Sequence, residues 1–160
     1  MAGRRHLPEE FHTITPHLTV RQVAQAVQFY RDVFGAQELY RAVDIDGAVI
    51  HAELLLGDSR FFLNDEFPQY GITAPAPGRP ALLLHLYVAD ADDTVARAVA
   101  AGATLALPLC DQPWGDRYAQ IRDPFGHLWS VATRREDLAP HEVQRRIGAA
   151  LAQLRAGKRD

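Results

Sequence analysis

His17-Leu18-Thr19-Val20 returns 68 positions later as His85-Leu86-Tyr87-Val88. Phe34-Gly35-Ala36 returns as Ala101-Gly102-Ala103 at a spacing of 67, and the turn at Gly57 has its counterpart at Gly126, at 69. Three features that keep nearly one spacing predict two copies of one supersecondary unit. In the first copy, residues 13–20 alternate, with Ile14, Pro16, Leu18 and Val20 on one side and Thr13, Thr15, His17 and Thr19 on the other, the pattern of a half-buried strand. From Val20 the step becomes three and four through Val23, Val27, Tyr30 and Phe34, an amphipathic helix that Gly35 stops. Residues 37–43, 48–56 and 60–64 read as strands, joined by turns at Asp46-Gly47 and Gly57-Asp58. The second copy repeats the order: strand 81–88, helix 90–101, strand 104–107, and a hairpin of 118–122 and 127–133 around Asp123-Pro124-Phe125-Gly126.

The expected fold class is therefore α+β: two βαβββ units in tandem, forming a cup-shaped mixed sheet with helices outside, plus a C-terminal helix. A flexible tail is expected over 1–12 and a single domain over 13–137, with unit one at 13–65, a connector at 66–80 and unit two at 81–135. The connector holds Pro68, Pro75, Pro77 and Pro80, so no regular element is expected there. The remaining 138–160 carries Val143, Ile147, Ala150, Leu151 and Leu154 at helical spacing, a C-terminal amphipathic helix with an apolar side to cover its own domain or a dimer contact.

Composition narrows the function. A chain of 160 residues with 48% hydrophobic content can build a core without metal or disulfide staples. Seventeen Lys and Arg against 20 Asp and Glu, with no run of either sign, argue against a nucleic-acid partner. The single Cys110 excludes an intrachain disulfide and a thiolate zinc cluster. With no run approaching 18 apolar residues and no signal-type leader, no membrane partner is expected and the expected location is cytoplasmic.

Strand parity separates two sheet faces. Helices covering Leu18, Val20, Ala52, Leu54, Leu84 and Leu86 leave His17, His51, Glu53, His85 and Tyr87 on the other side. Three histidines and a glutamate on a face that does not pack helices form a candidate ligand site. His51 and Glu53, at i and i+2, can form a charge pair and serve as catalytic acid and base, or can be a structural hydrogen bond supporting the sheet. Trp114 and Tyr118 flank Gly115 and suit a wall for a flat or apolar ligand, or a dimer contact.

Phe29-Tyr30-Arg31-Asp32-Val33-Phe34-Gly35 and Asp123-Pro124-Phe125-Gly126-His127, within the paired units, resemble the vicinal oxygen chelate superfamily of glyoxalase I, bleomycin-resistance proteins and extradiol dioxygenases. His51-Ala52-Glu53-Leu54, Gly57-Asp58-Ser59, Trp114-Gly115-Asp116-Arg117-Tyr118 and Gly126-His127-Leu128-Trp129-Ser130 resemble its PhnB-like branch. The resemblance covers about residues 13–137 and implies cavities usually completed by dimerisation. Metal-using members carry four ligands on the first and last strands of the units, and those positions fall here on Thr15, Phe61, Leu83 and Ser130. None of them replaces the His and Glu ligands of a divalent ion. The implied protein is a metal-independent small-molecule binder, expected as a homodimer and without a cofactor, in which His17, His51, Glu53, Phe61, His85, Tyr87, Trp114 and Tyr118 line the ligand. One alternative is a lyase, isomerase or dioxygenase using either a displaced Zn, Ni, Mn or Fe site of His17, Glu53 and His85 or the His51/Glu53 pair. Another is an interaction domain with a vestigial cavity.

Overall fold

A computed structural model describes residues 8–76, 78 and 82–156. Its elements run β1 (His17–Thr19), α1 (Val23–Phe34), β2 (Gln37–Val43), β3 (Val49–Leu56), β4 (Ser59–Asn64), a single 3-10 turn (Pro68–Tyr70), β5 (Leu83–Tyr87), α2 (Ala91–Ala100), β6 (Thr104–Asp111), β7 (Asp116–Arg122), β8 (Leu128–Arg134) and α3 (Pro140–Ala156). The strands form two four-stranded mixed sheets, ordered β1-β4-β3-β2 and β5-β8-β7-β6. In each, the first strand lies parallel to the last and the other pairs are antiparallel. Each half is thus a βαβββ unit. Among the described residues, one compact unit holds those up to Leu82 with Pro124–His127, and the other holds Leu83–Asp123 with those from Leu128 onward.

In unit one, α1 presents Val23, Ala26, Val27, Tyr30 and Val33 to Leu18, Ala52, Leu54, Phe61 and Leu63, and all of these are buried. Each large side chain so buried contributes roughly 1.5–3 kcal/mol of transfer free energy. Gly35 ends the helix at φ 75, a left-handed conformation that glycine adopts without steric cost. In unit two, α2 sets Ala91, Thr94, Val95 and Ala98 against a sheet whose buried face carries Ala119, Ile121, Trp129 and Val131. Asp90 caps this helix by accepting from the Asp93 backbone N–H at 2.9 Å.

Several expected elements are shorter or longer than the sequence predicts. The strand expected over 13–20 reduces to His17–Thr19, because Pro16 has no N–H to give a ladder; its carbonyl still accepts from Phe62 N at 2.9 Å. The connector is not wholly irregular: Phe67 and Ile72 form a bridge around the 3-10 turn, since Pro68 is compatible with a first helical position. Residues 77 and 79–81 of that connector and strand lie outside the described residues, as do residues 1–7 of the expected tail. Within the rest of the tail, Phe11 packs on Phe62 at 5.6 Å between centroids, with the Arg60 guanidinium 5.0 Å from its ring. Helix α3 forms over a longer span than its apolar stripe predicts but has no buried residue, and Leu151 and Leu154 remain exposed.

Candidate functional site

The faces turned away from the helices carry most of the candidate side chains. In unit one, His17 of β1 sits beside Phe62 of β4 at the same register position, their rings 5.4 Å apart and edge-on. His51 of β3 meets both, 5.7 Å from His17 and 5.5 Å from Phe62, and exposed Tyr40 lies 6.4 Å from it. Burial first, and then the nearby His51 imidazole, lower the His17 pKa below its usual value, since both disfavour the imidazolium. Glu53 does not pair with His51. Its carboxylate is taken by Arg60, one strand away on the same face, in a part-buried ion pair.

Phe61, expected at the ligand, belongs to the other face. It is buried and packs edge-on against Tyr30 of α1. The family resemblance implied Phe61, but alternation along β4 places Phe62 on the open face instead.

In unit two the open face is denser. His85 Nδ1 lies 2.7 Å from Ser130 Oγ, its neighbour across the parallel β5–β8 ladder. The His85 ring meets Tyr87 edge-on at 4.6 Å and stacks on Tyr118 at 6.2 Å. Trp114 is edge-on to Tyr118 at 5.6 Å, so His85, Tyr87, Trp114 and Tyr118 form one aromatic cluster. Beneath it lies Asp116, 1% exposed. Its Oδ2 accepts from both the Tyr87 hydroxyl and the Trp114 indole N–H, each at 3.0 Å. Its Oδ1 is buried and has no hydrogen-bond partner. The nearest cation, Arg134, holds Nε 3.9 Å from Oδ1, too far for a hydrogen bond, with its guanidinium carbon 5.8 Å from the centre of the Tyr87 ring. The Tyr87 hydroxyl first, then the Asp116 and Asp137 carboxylates, push the Arg134 pKa upward.

Two open clefts border this cluster. One, of about 580 Å³, is lined by Tyr87, Val88, Ala89, Thr133 and Arg134. The other, of about 500 Å³, includes Asp116, Gly115 and Arg117. Asp116, Phe62, Tyr40 and Arg134 were not singled out by sequence reasoning. Parity would have found Asp116: it is the acidic member of the series Asp116, Tyr118, Gln120 on one face of β7.

Of the displaced metal set, His17 and Glu53 lie in unit one and His85 in unit two. Glu53 is engaged by Arg60, His85 faces the Ser130 hydroxyl, and among the described residues no group of three His, Cys, Asp or Glu side chains could hold a metal ion. Among those residues, no helix is long and apolar enough to cross a membrane.

Residues 11–131 match the model of the Glyoxalase/Bleomycin resistance protein/Dioxygenase superfamily. The Mycobacterium tuberculosis protein Rv0887c is 40% identical over 135 residues, which cover 82% of this chain and 79% of that protein. Among solved structures, TioX from Micromonospora sp. ML1 is 31% identical, with a TM-score of 0.61, over 76% of this chain and 97% of TioX. A PhnB protein from Bacillus cereus, 20% identical, shares the fold at a TM-score of 0.63 over 76% of this chain and 99% of its own.

Proposed function

Because the chain belongs to the Glyoxalase/Bleomycin resistance protein/Dioxygenase superfamily, we propose that it is a small-molecule-binding member that works without a metal and holds a flat ligand on the open face of unit two. The observation that carries this reading is the cluster of His85, Tyr87, Trp114 and Tyr118, anchored through Asp116 and Ser130 beside open clefts. Aromatic side chains fixed by hydrogen bonds at their polar ends bind planar ligands with little loss of their own rotamer freedom. At two positions where metal-using relatives are expected to place His or Glu ligands, Thr15 offers only a hydroxyl and Leu83 no donor, and Ser130 is spent on His85. The proposed assembly is a cytoplasmic homodimer. Exposed Leu39, Tyr40, Val43 and Ile45 on β2 and its turn support it, as apolar side chains gathered on one edge mark interaction surfaces.

Thermal-shift screening of protein purified without an affinity tag tests the reading. A ligand at 100 times its dissociation constant adds about 2.7 kcal/mol, and Trp114→Ala or Tyr87→Ala is expected to abolish that shift. Stoichiometric Zn, Ni, Mn or Fe in the same preparation, lost on His17→Ala, would replace this reading with the metalloenzyme one. A monomer by light scattering at micromolar concentration would remove the dimer.

A second reading rests on His17. An imidazole kept neutral by burial and by His51 suits a general base, and an isomerase or lyase step could use it. The His51/Glu53 pair serves that reading less well, because the Glu53 carboxylate already neutralises Arg60.

A further inference from the structure

We propose that Tyr87 and Asp116 form a cation-recognition site, and that the ligand of unit two carries a planar cationic N–H group, of amidine, guanidine or aryl-ammonium type, which displaces Arg134. The inference rests on the proposed binding function and specifies its ligand.

A carboxylate 1% exposed with one oxygen free of any hydrogen bond is the feature that needs a physical account. Both donors near Asp116 converge on Oδ2, so the second oxygen keeps its full acceptor capacity in a desolvated place. Leaving such an acceptor unmade is costly, and more so when it is charged. The structure itself shows what kind of group is drawn there. Arg134 brings a planar cation over the Tyr87 ring and points Nε at Oδ1, but stops at 3.9 Å. Its side chain is 60% exposed and is shared with Asp137, whose carboxylate lies 3.5 Å from a terminal nitrogen. A resident cation that is solvated, shared with Asp137 and the Tyr87 hydroxyl, and short of hydrogen-bonding distance from Oδ1 is a displaceable one. Tyr87 and Arg134 line one cleft and Asp116 the other, so a smaller planar cation that takes the place of the Arg134 guanidinium between them combines the ring face with a charge-assisted hydrogen bond to Oδ1.

Unit one offers a control inside the same chain. Taking strand register as the guide, Tyr87, Asp116 and Arg134 correspond to Thr19, Val49 and Glu66, so this constellation is not a requirement of the fold.

The test compares benzamidine, benzamide and benzoate, one planar ring in cationic, neutral and anionic form. Binding is followed by calorimetry and by the NMR signal of the Trp114 indole N–H, which sits on Asp116 Oδ2. Benzamidine is expected to bind tightest and to shift that signal. Asp116→Asn, which keeps an acceptor for Tyr87 and Trp114, is expected to weaken benzamidine about tenfold or more, the scale of a lost charged hydrogen bond. Arg134→Gln removes the competitor and is expected to tighten benzamidine several-fold. This gain cannot come from misfolding, so it decides the matter if Asp116→Asn is unstable. Benzoate binding as tightly as benzamidine, Arg134→Gln leaving benzamidine unchanged or weaker, or failure of all three probes overturns the inference. Should neutral or anionic compounds still give thermal shifts that need Trp114, the wider binding function survives its loss.

Discussion

Placed in register, the two units agree on one face and differ on the other. Toward the helices, Leu18 answers to Leu86, Ala52 to Ala119, Leu54 to Ile121, Phe61 to Trp129 and Leu63 to Val131. Each pair keeps its apolar character and close to its size, as a packed helix–sheet layer demands. On the open faces only His17 and His85 match; Thr19 answers to Tyr87, His51 to Tyr118, Glu53 to Gln120, Phe62 to Ser130 and Asn64 to Ala132. The shared histidine shows how far the surroundings decide chemistry. In unit one it lies against a phenylalanine and a second imidazole; in unit two it faces a hydroxyl and two tyrosines. Packing has held one face constant while the other is free to specialise.

The agreement breaks most visibly if the helix-facing pairs are emptied. Leu54→Ala and Ile121→Ala delete fully buried side chains at equivalent positions, and each is expected to destabilise the protein by about 2–5 kcal/mol in urea unfolding. A loss below about 1 kcal/mol at one position alone would show that its layer is not packed like its counterpart.

A smaller effect sharpens the one place where the helices themselves differ. Helix α2 has the Asp90 cap, whereas α1 follows Gln22 at φ 65 and ψ 64, a left-handed residue with no side-chain cap. Asp90→Ala is expected to cost about 1 kcal/mol. Gln22→Gly is expected to stabilise by about 1 kcal/mol, because a residue with Cβ pays roughly that to sit in this region. Equal losses from both substitutions would contradict the difference.

Legibility in the sequence follows the same division. The helix-facing layer could be read because burial writes a period into the chain: two along Ala52 and Leu54, three and four along Val23, Val27 and Tyr30. The repeat then supplied the tandem order. The open face has no such period, so His17, His51, Glu53, His85 and Tyr87 are read from parity alone, and parity says which side a residue takes but not whom it meets. His51 and Glu53 do share a face, yet the partner of Glu53 is Arg60, across the strand pair rather than along the strand. Phe61 came from the family resemblance, and the alternation of β4 turns it toward α1. Asp116 escaped notice because an acidic residue beside Gly115 looks like a turn residue until Tyr87, 29 positions away, is seen to donate to it. The strand expected over 13–20 failed locally, since alternation is satisfied by any extended chain and only the ladder, interrupted at Pro16, makes it a strand.

The smallest expected effect concerns the matched histidines. Burial and the neighbouring His51 lower the His17 pKa, so folding favours the neutral ring. In the window between the unfolded value of 6.5 and the lower folded value, the unfolded chain binds more protons. Stability is therefore unaffected by this group above pH 6.5 and declines as the pH falls from there to the folded pKa. His51→Phe keeps a ring against Phe62 but removes the second charge. The His17 pKa is then expected to rise part of the way and to stay below 6.5, because burial, the larger cause, remains. Chemical-shift titration of His17 in the two proteins measures this directly. A His17 that titrates at or above 6.5 in the unsubstituted protein would mean that the imidazole is solvated, and the open face of unit one would lose the neutral base on which its acid–base reading depends.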